Sequence, residues 1–269
     1  MLMAVDIGNT NIVIGFLEGD RIVGSYRITT KATHTSDEYG LMITQFLALS
    51  DYTADDVDDV IVCSVVPKVM YSFRASLIKF LGLEPMVVGP GVKTGMNIRL
   101  DDPKTLGSDC IADCAGAYHT YGGPVLVADF GTATTFNYVD SSGTIRSGFI
   151  TTGIRTGAEA LWGQTAQLPE VEITQPQSIL ATNTRTAMQA GLYYTFLGGI
   201  ERTIQQFRKE IDEPFQVVAT GGLSRIFKNN TDMIDVYDSD LIFKGMAYIY
   251  SRNVKSVSYT HLTLPTICS

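Results

Sequence analysis

The sequence contains the same short pattern twice, and each copy follows an apolar run that is typical of a buried strand. The first copy, Asp6 to Asn11, reads Asp-Ile-Gly-Asn-Thr-Asn and follows Leu2 to Val5. The second copy, Asp129 to Thr135, reads Asp-Phe-Gly-Thr-Ala-Thr-Thr and follows Val125 to Ala128. Because self-similarity along a chain is the signature of repeated architecture, we interpret the pair as an internal duplication that faces two similar loops across one site.

Each loop has the chemistry expected of a phosphate site. A glycine without a Cβ permits a tight turn and lets a phosphate approach backbone N–H groups, and threonine and asparagine side chains add donors. The aspartate repels phosphate, so we expect it to hold a cation, or water bound to a cation, that bridges the phosphates. A strand that ends in a polar hairpin turn is the alternative for one copy alone, whereas two copies in matching contexts favour phosphate binding.

The segments after the two loops also match. After the first loop, Ile12 to Leu17 runs out and Arg21 to Ile28 returns; after the second, Thr134 to Val139 runs out and Thr144 to Ile150 returns. Each copy therefore predicts a three-stranded β-meander. Paired meanders of this kind resemble, at the level of fold, the superfamily that contains actin, sugar kinases and heat-shock ATPases. We predict an α/β protein with two duplicated actin-like (ribonuclease H-like) halves, each a mixed sheet flanked by helices, with the nucleotide site between them.

We expect the N-terminal half to span residues 1–118 and the C-terminal half to span residues 119–253. In the first half we expect a helix capped at Thr35, a second helix that begins at Pro67 and ends at Gly82, and a loop from Gly89 to about Pro103. The C-terminal half contains the second loop and, within Thr220 to Ser224, a Gly-Gly turn that leads into a Ser-capped helix, where a flat base could lie against bare backbone. It also contains a long helical stretch from Arg185 to about Ile211. Three glycines inside this stretch are unfavourable for an isolated helix, so we expect close packing there, with a second subunit as one candidate partner: Gly191, Gly198 and Gly199.

Composition limits the possible partners. The net charge of −8 argues against nucleic acid as the main partner, because phosphate backbones are bound by a surplus of Lys and Arg. No apolar run approaches the ~20 residues that span a bilayer, and the chain does not begin with a basic segment followed by an apolar signal region. The four cysteines contain no Cys-x-x-Cys pair. We therefore expect a cytoplasmic protein with reduced thiols and no membrane association.

An ordered set of short motifs resembles the type III pantothenate kinases, which transfer the γ-phosphoryl group of ATP to pantothenate in the first step of coenzyme A synthesis. The motifs follow the family's order from residue 1 to about residue 253. Besides the two loops they are Ser64 to Pro67, Gly89 to Gly95, Gly107 to Asp109, Thr165 to Pro169, Asn183-Thr184 and Ala219 to Gly222. Each motif alone is weak, whereas the ordered set is highly specific.

The resemblance implies a role for each matching residue. Asp129 would coordinate a monovalent cation, K⁺ or NH₄⁺, which the family requires beside Mg²⁺, and Asp109 would accept the proton of the pantothenate hydroxyl. From the sequence alone, Asp109 could instead simply stabilise the start of its helix. The residues implied to bind the ATP phosphates are Asp6, Ile7, Gly8, Asn9, Thr10, Asn11, Ile12, Val13 and Thr132. The residues implied to line the pantothenate site are Leu100, Gly107, Ser108, Asp109, Cys110 and, across a homodimer interface, Thr184.

The chain departs from the family pattern mainly at the pantothenate site. Cys110 stands where the family commonly has arginine, and Leu100 stands where many relatives have tyrosine. A thiol does not replace the bidentate contact of an arginine with an anion. Residues 147–153 read Ser-Gly-Phe-Ile-Thr-Thr-Gly, where relatives usually have Gly-Gly-x-Ile-x-Pro-Gly. The motifs expected to bind ATP are intact.

Two other functions stay open on the sequence. One is another small-molecule kinase of the same superfamily, and the other is a non-catalytic regulator, since some relatives were first described as accessory factors for transcription. The intact loops and the acidic balance weigh against direct DNA binding. Residues 254–269 match no motif of the family, and we expect them to be a non-native tail; a C-terminal strand is the alternative.

Overall fold

The computed structural model describes residues 1–228 and 230–254. The N-terminal part of the chain forms the first of two sheets. The predicted meander is present, and two later strands extend the sheet parallel to its first strand. In the spatial order β3-β2-β1-β4-β5, the strands are β1 (Leu2–Ile7), β2 (Asn11–Glu18), β3 (Arg21–Thr29), β4 (Asp59–Ser64) and β5 (Met86–Val87).

The second sheet repeats this plan. A second antiparallel meander is again extended by two strands that run parallel to its first strand. In the spatial order β11-β10-β7-β8-β9-β6, the strands are β6 (Asn97–Ile98), β7 (Val125–Phe130), β8 (Ala133–Val139), β9 (Thr144–Thr152), β10 (Gln216–Thr220) and β11 (Val236–Tyr237). Five strands of each sheet therefore correspond in order and direction, which confirms the duplication predicted from the two loops.

The helices and sheets stack in five layers. The helices are α1 (Ser36–Leu49), α2 (Pro67–Leu81), α3 (Ser108–Tyr121), α4 (Ile154–Gly163), α5 (Thr184–Glu210) and α6 (Leu241–Asn253). Helices α1 and α2 cover the outer face of the first sheet, and α4 and α5 cover the outer face of the second. Helices α3 and α6 lie between the sheets: Ala112 packs on the first sheet and Cys114 on the second. None of the helices in the described part of the chain combines the length and apolarity needed to cross a bilayer.

Local sequence signals explain where several helices begin and end. The Thr35 side chain accepts from the N–H of Glu38, whose carboxylate accepts from Thr35 in return, so a capping box begins α1. Pro67 occupies the first turn of α2, where its missing N–H costs nothing. Gly82 ends that helix in the left-handed conformation, with φ of 70°. These boundaries agree with those predicted from the sequence.

Two elements differ from the sequence-based expectation. The Gly-Gly turn leads into a 3₁₀ turn, Ser224–Ile226, where a Ser-capped helix was predicted. Strand β6 lies in a stretch predicted to be loop, and it forms because Asn97 and Ile98 pair with the edge of β9. The expected boundary between residues 118 and 119 falls inside α3, and the division into two domains stays a prediction. Apart from Val254, the predicted tail lies outside the described residues.

Helices α3 and α6 cross so closely that only glycine fits at the contact. A Cβ on Gly245 would lie 1.8 Å from the carbonyl oxygen of Ala112, and a Cβ on Gly116 would lie 2.6 Å from that of Leu241. Both distances are far below van der Waals contact, and the atoms approached belong to backbone. Because α3 and α6 form the layer between the sheets, this crossing sets the separation of the two halves.

We predict that Gly245→Ala destabilises the protein, because the added methyl group forces two backbones apart. The expected loss in the free energy of unfolding is about 1–3 kcal/mol, measured by chemical denaturation. Gly163→Ala is the matched control, since a Cβ at this helical glycine meets nothing within 4 Å, and its effect should stay within about 0.5 kcal/mol. Equal effects of the two substitutions would contradict the packing argument.

Candidate active site

The two loops predicted to bind phosphate meet directly through their side chains. The first loop joins β1 to β2 and the second joins β7 to β8, and in each a glycine N–H closes the turn: Gly8 donates to the Asn11 carbonyl at 3.0 Å, and Gly131 donates to the Ala133 carbonyl at 3.1 Å. The hydroxyl groups of Thr10 and Thr132, one from each loop, are 2.8 Å apart and share a hydrogen bond. The duplication therefore places its two polar loops side by side.

In each loop, a backbone carbonyl group accepts a hydrogen bond from a threonine hydroxyl group outside the loop. The Thr30 hydroxyl, just after β3, donates to the Gly8 carbonyl at 2.6 Å. The Thr156 hydroxyl, in the first turn of α4, donates to the Thr132 carbonyl at 2.7 Å. Gly153 adds an N–H bond to the same carbonyl of Thr132. With their carbonyl groups fixed in this way, the loops leave hydroxyl and N–H groups available to a ligand.

The start of α3 is tied to the first sheet by a pair of serines. The Ser64 N–H donates to the Ser108 hydroxyl at 3.1 Å, and that hydroxyl lies 3.3 Å from the Ser64 carbonyl oxygen. Gly107 precedes the helix, and a Cβ there would lie 2.2 Å from Oδ1 of Asp109. Glycine thus makes room for the Asp109 carboxylate, whose Oδ1 accepts the N–H of Cys110 at 2.8 Å.

Four carboxyl groups approach one another beside the loops: Asp6, Asp109, Asp113 and Asp129, which we call the carboxyl cluster. Burial raises the pKa of Asp6 to about 8, with further increases from the charges of Asp109 and Asp129. Burial raises the pKa of Asp129 to about 7, and Asp109 raises it further. The pKa of Asp113 is raised by burial and then by the other three carboxyl groups. At neutral pH the cluster therefore retains protons, which a bound cation can displace.

Two of these carboxyl groups have oxygen atoms that suit a cation. Oδ1 of Asp6 and Oδ1 of Asp113 are buried without a hydrogen-bond partner, although buried polar atoms are normally paired. Within residues 1–228 and 230–254, no three His, Cys, Asp or Glu side chains form a complete metal site. Mg²⁺ usually binds one or two carboxylates and takes its other ligands from phosphates and water.

The Gly-Gly turn, Gly221-Gly222, closes over the second loop. Gly221 has φ of +88°, and a Cβ there would lie 2.3 Å from Oδ1 of Asp129. Glycine is therefore required both by the backbone conformation and by the contact with Asp129. The turn predicted to lie near a base thus touches the carboxylate predicted to bind a monovalent cation.

The other residues predicted to line the pantothenate site lie in different parts of the structure. Burial raises the pKa of the Cys110 thiol, and the neighbouring carboxyl groups of Asp109, Asp113 and Asp129 raise it further, so the thiol is neutral. Leu100 is half-buried two residues after β6. Thr184 is exposed in a groove between α4 and α5, and the hydrogen bonds of the described residues do not link it to the carboxyl cluster.

Sequence reasoning missed two residues of the cleft. Asp113 lies one helical turn after Asp109, so the spacing of four residues could have placed both on the same face of α3. Arg27 lies on β3 opposite Val13, which is itself opposite Asp6. The predicted meander implies that register. It does not indicate how far the arginine side chain extends across the cleft.

The fold defines a class: an actin-like α/β protein whose two similar polar loops face one cleft. The structure is similar to that of a putative 2-dehydro-3-deoxygalactonokinase from Sinorhizobium meliloti, with a TM-score of 0.61 at 13% identity over 96% of this chain and 99% of that one. It is also similar to a putative Baf family transcriptional activator from Campylobacter jejuni, with a TM-score of 0.57 at 21% identity over 93% and 98% of the two chains. At such identities the similarity shows the fold alone.

The chain belongs to the type III pantothenate kinase family, whose sequence model matches residues 2–206. It is 73% identical to the type III pantothenate kinase of Bifidobacterium longum (strain NCC 2705) over 256 residues, which are 95% of this chain and 100% of that protein. It is 47% identical to the type III pantothenate kinase of Agathobacter rectalis over 253 residues, 94% of this chain and 97% of that protein. The family predicted from the ordered motifs is confirmed.

We predict that Asp6→Asn stabilises the nucleotide-free protein more at pH 8 than at pH 5. Between the ordinary pKa of 3.8 and about 8, the folded wild-type chain holds a proton that the unfolded chain has released. Stability from this group is therefore present at low pH and lost as the pH rises through that window. The variant should exceed wild type at pH 8 by more than about 1 kcal/mol in the free energy of unfolding.

The control for this prediction is Asp55→Asn, which removes an exposed carboxylate outside the cleft. It should follow the wild-type pH profile in the same denaturation experiment. If the advantage of Asp6→Asn is the same at both pH values, the burial of Asp6 does not perturb its titration.

Proposed function

We propose that the chain phosphorylates pantothenate with the γ-phosphoryl group of ATP, the first step of coenzyme A synthesis, in the cytoplasm. Membership of the type III pantothenate kinase family supports this reaction. The observation that carries the proposal is the meeting of the two loops through Thr10 and Thr132 beside the carboxyl cluster. Such a site has the groups that phosphoryl transfer needs, which are donors for phosphate oxygens, carboxylates for cations and a proton acceptor.

The first loop and Thr132 bind the ATP phosphates in this proposal. Asp6, with its unpaired Oδ1, would hold Mg²⁺ or its bound water, and Asp129 would hold K⁺ or NH₄⁺. Cations bound there would supply positive charge to the phosphate oxygens. Burial of the carboxyl groups strengthens these contacts, because electrostatic interactions are weakly screened away from water. The Gly-Gly turn adjoining Asp129 offers bare backbone to the adenosine.

Asp109 acts as the general base for the pantothenate hydroxyl in the proposed mechanism. Its carboxylate lies at the start of α3, within electrostatic reach of both Asp6 and Asp129. A carboxylate is a weak base, but in a loose transition state the hydroxyl proton needs to leave only late. The contact between Asp109 and the Cys110 N–H orients the carboxylate, so stabilisation of the helix start and catalysis are compatible roles.

The pantothenate pocket is proposed to lie beside the start of α3, lined by Leu100, Gly107, Ser108 and Cys110. The neutral Cys110 thiol supplies no positive charge to the substrate carboxylate. Other contacts with the substrate must therefore compensate for the missing charge. We propose that Thr184 of a second subunit provides one of them.

A homodimer is proposed because the surface around α5 is apolar and open. Ile150, Ile179 and Leu180 are 75%, 63% and 83% exposed. Ile150 lies on β9, and Ile179 and Leu180 directly precede Ala181, which lines a groove of about 790 Å³ together with Thr184. Large apolar side chains exposed to this extent are typical of interfaces when they lie together. Three glycines of α5 also face open space, as close contact with a second helix requires: Gly191, Gly198 and Gly199.

We predict ATP-dependent phosphorylation of pantothenate with Mg²⁺ and K⁺, and a decrease in turnover of about 10²–10⁴-fold in Asp109→Asn. ATP affinity should change little in the variant, because the phosphate loops are intact. A coupled ADP-release assay and calorimetry measure the two quantities, and replacing K⁺ with Na⁺ tests the monovalent site. Turnover of another hydroxyl compound but not pantothenate would identify a different kinase, and a turnover loss below about tenfold would exclude Asp109 as the base.

We predict that Leu180→Asp converts the dimer to monomer in analytical ultracentrifugation and raises KM for pantothenate. A charged group in an apolar interface loses hydration without gaining a partner. Leu49→Asp is the matched control, since Leu49 is 72% exposed on α1, on the outer face of the other half. Leu49→Asp should leave the oligomeric state and the KM for pantothenate unchanged. A wild-type chain that is monomeric and fully active at assay concentration would refute the shared site.

A further inference from the structure

Arg27 lies in a row of residues that crosses the inner face of the first sheet. Asp6 on β1 pairs with Val13 on β2, and Val13 pairs with Arg27 on β3. Side chains of directly paired residues point to the same face of a sheet. Val13 packs with the core between the sheets, which identifies this face as the one toward the second half. Arg27 therefore extends from the first sheet on the side of the carboxyl cluster.

The guanidinium group reaches the second half at the Gly-Gly turn. A Cβ on Gly222 would lie 3.1 Å from Nη1 of Arg27, 3.6 Å from Nη2 and 3.7 Å from Cζ. The side chain thus spans the cleft from the meander that carries the first phosphate loop to the turn that follows β10. Both positions are exposed, so the guanidinium group lies where a ligand can reach it.

Arg27 is also placed to counter the negative charge of the cleft. The guanidinium group lies within electrostatic reach of the Asp6 carboxyl group. Across residues 1–228 and 230–254, Arg27 forms neither a salt bridge nor a side-chain hydrogen bond. Its five N–H donors are therefore free for a ligand with several acceptor oxygens.

The second half of the duplication has no arginine at the position equivalent to Arg27. In the second sheet, Asp129 pairs with Thr135, and Thr135 pairs with Ile150. Ile150 thus occupies the position that corresponds to Arg27. A residue needed only for the meander fold would not have to be cationic, since the equivalent strand forms with an apolar side chain there.

We propose that Arg27 binds the phosphate chain of ATP between the first loop and the Gly-Gly turn, joining the two halves of the nucleotide site. This inference rests on the proposed nucleotide site and goes beyond the motifs that identify it. Planar guanidinium groups bind phosphate oxygens through two parallel N–H bonds. Nucleotide phosphates carry more negative charge than one Mg²⁺ neutralises, and Arg27 supplies a further positive charge. It contacts ATP and ADP but not adenosine.

The test is calorimetric titration of the full chain with adenosine, Mg·ADP and Mg·ATP. Arg27→Met should weaken both phosphorylated nucleotides by about 10- to 100-fold, the change expected when hydrogen bonds to a charged group are lost. Its affinity for adenosine should stay within about twofold of wild type. Arg21→Met is the control, because it removes the same charge from the same strand, where Arg21 pairs only with Glu18 at the surface.

Arg27→Lys keeps the charge and should weaken the phosphorylated nucleotides less than Arg27→Met, again without affecting adenosine; it also serves if the methionine variant fails to fold. An equal loss for all three ligands would mean that Arg27 merely supports the Gly-Gly turn, and no loss would mean that it is a solvated surface arginine. Either result overturns the inference. If the chain shows these nucleotide affinities but does not phosphorylate pantothenate, the proposed reaction is wrong and the role of Arg27 in nucleotide binding still holds.

Discussion

Repulsion among buried carboxyl groups is the constraint on which the rest of the site depends. Three structural elements, β1, β7 and α3, each bring at least one aspartate to a place where burial weakens the screening of its charge by water. Such a cluster opposes folding unless protons, cations or an arginine offset it. The surrounding core has to supply that stability, and the two sheets with their helices provide it. The cluster is thus a site whose local instability becomes affinity for cations that accompany phosphate.

The strands and helices that hold this cluster also explain its geometry. The first two turns of α3 carry Asp109 and Asp113, while the rest of the helix forms part of the layer between the sheets. The serine pair fixes the start of α3 to the end of β4. A displacement of α3 would therefore alter the positions of the proposed base and of the core together. This coupling ties the position of Asp109 to the packing at the centre of the fold.

Much of the fold could be predicted from the sequence because its signals are local. The two loops, the meanders and boundaries such as Pro67 and Gly82 depend on a few neighbouring residues. Strand β6 could not be predicted, since two residues give no periodicity and pairing with β9 is decided by tertiary structure. The short 3₁₀ turn after the Gly-Gly turn was missed for the same reason.

The site was predictable to the extent that it consists of motifs. The duplication suggested that Thr10 and Thr132 would lie near each other, and the family resemblance implied roles for Asp109 and Asp129. The perturbed pKa values depend on burial and on distances between elements far apart in sequence, which no motif encodes. The reach of Arg27 to Gly222 is likewise a property of how the halves face each other.

The glycine crossing of α3 and α6 has a mechanical consequence for the cleft. Backbone atoms in direct contact leave no room for α3 to slide across α6, so any relative motion of the two halves would have to be a rotation about this crossing. Displacement in a rotation grows with distance from the axis. Groups near Gly116 and Gly245 would therefore move least, and the rim of the cleft would move furthest.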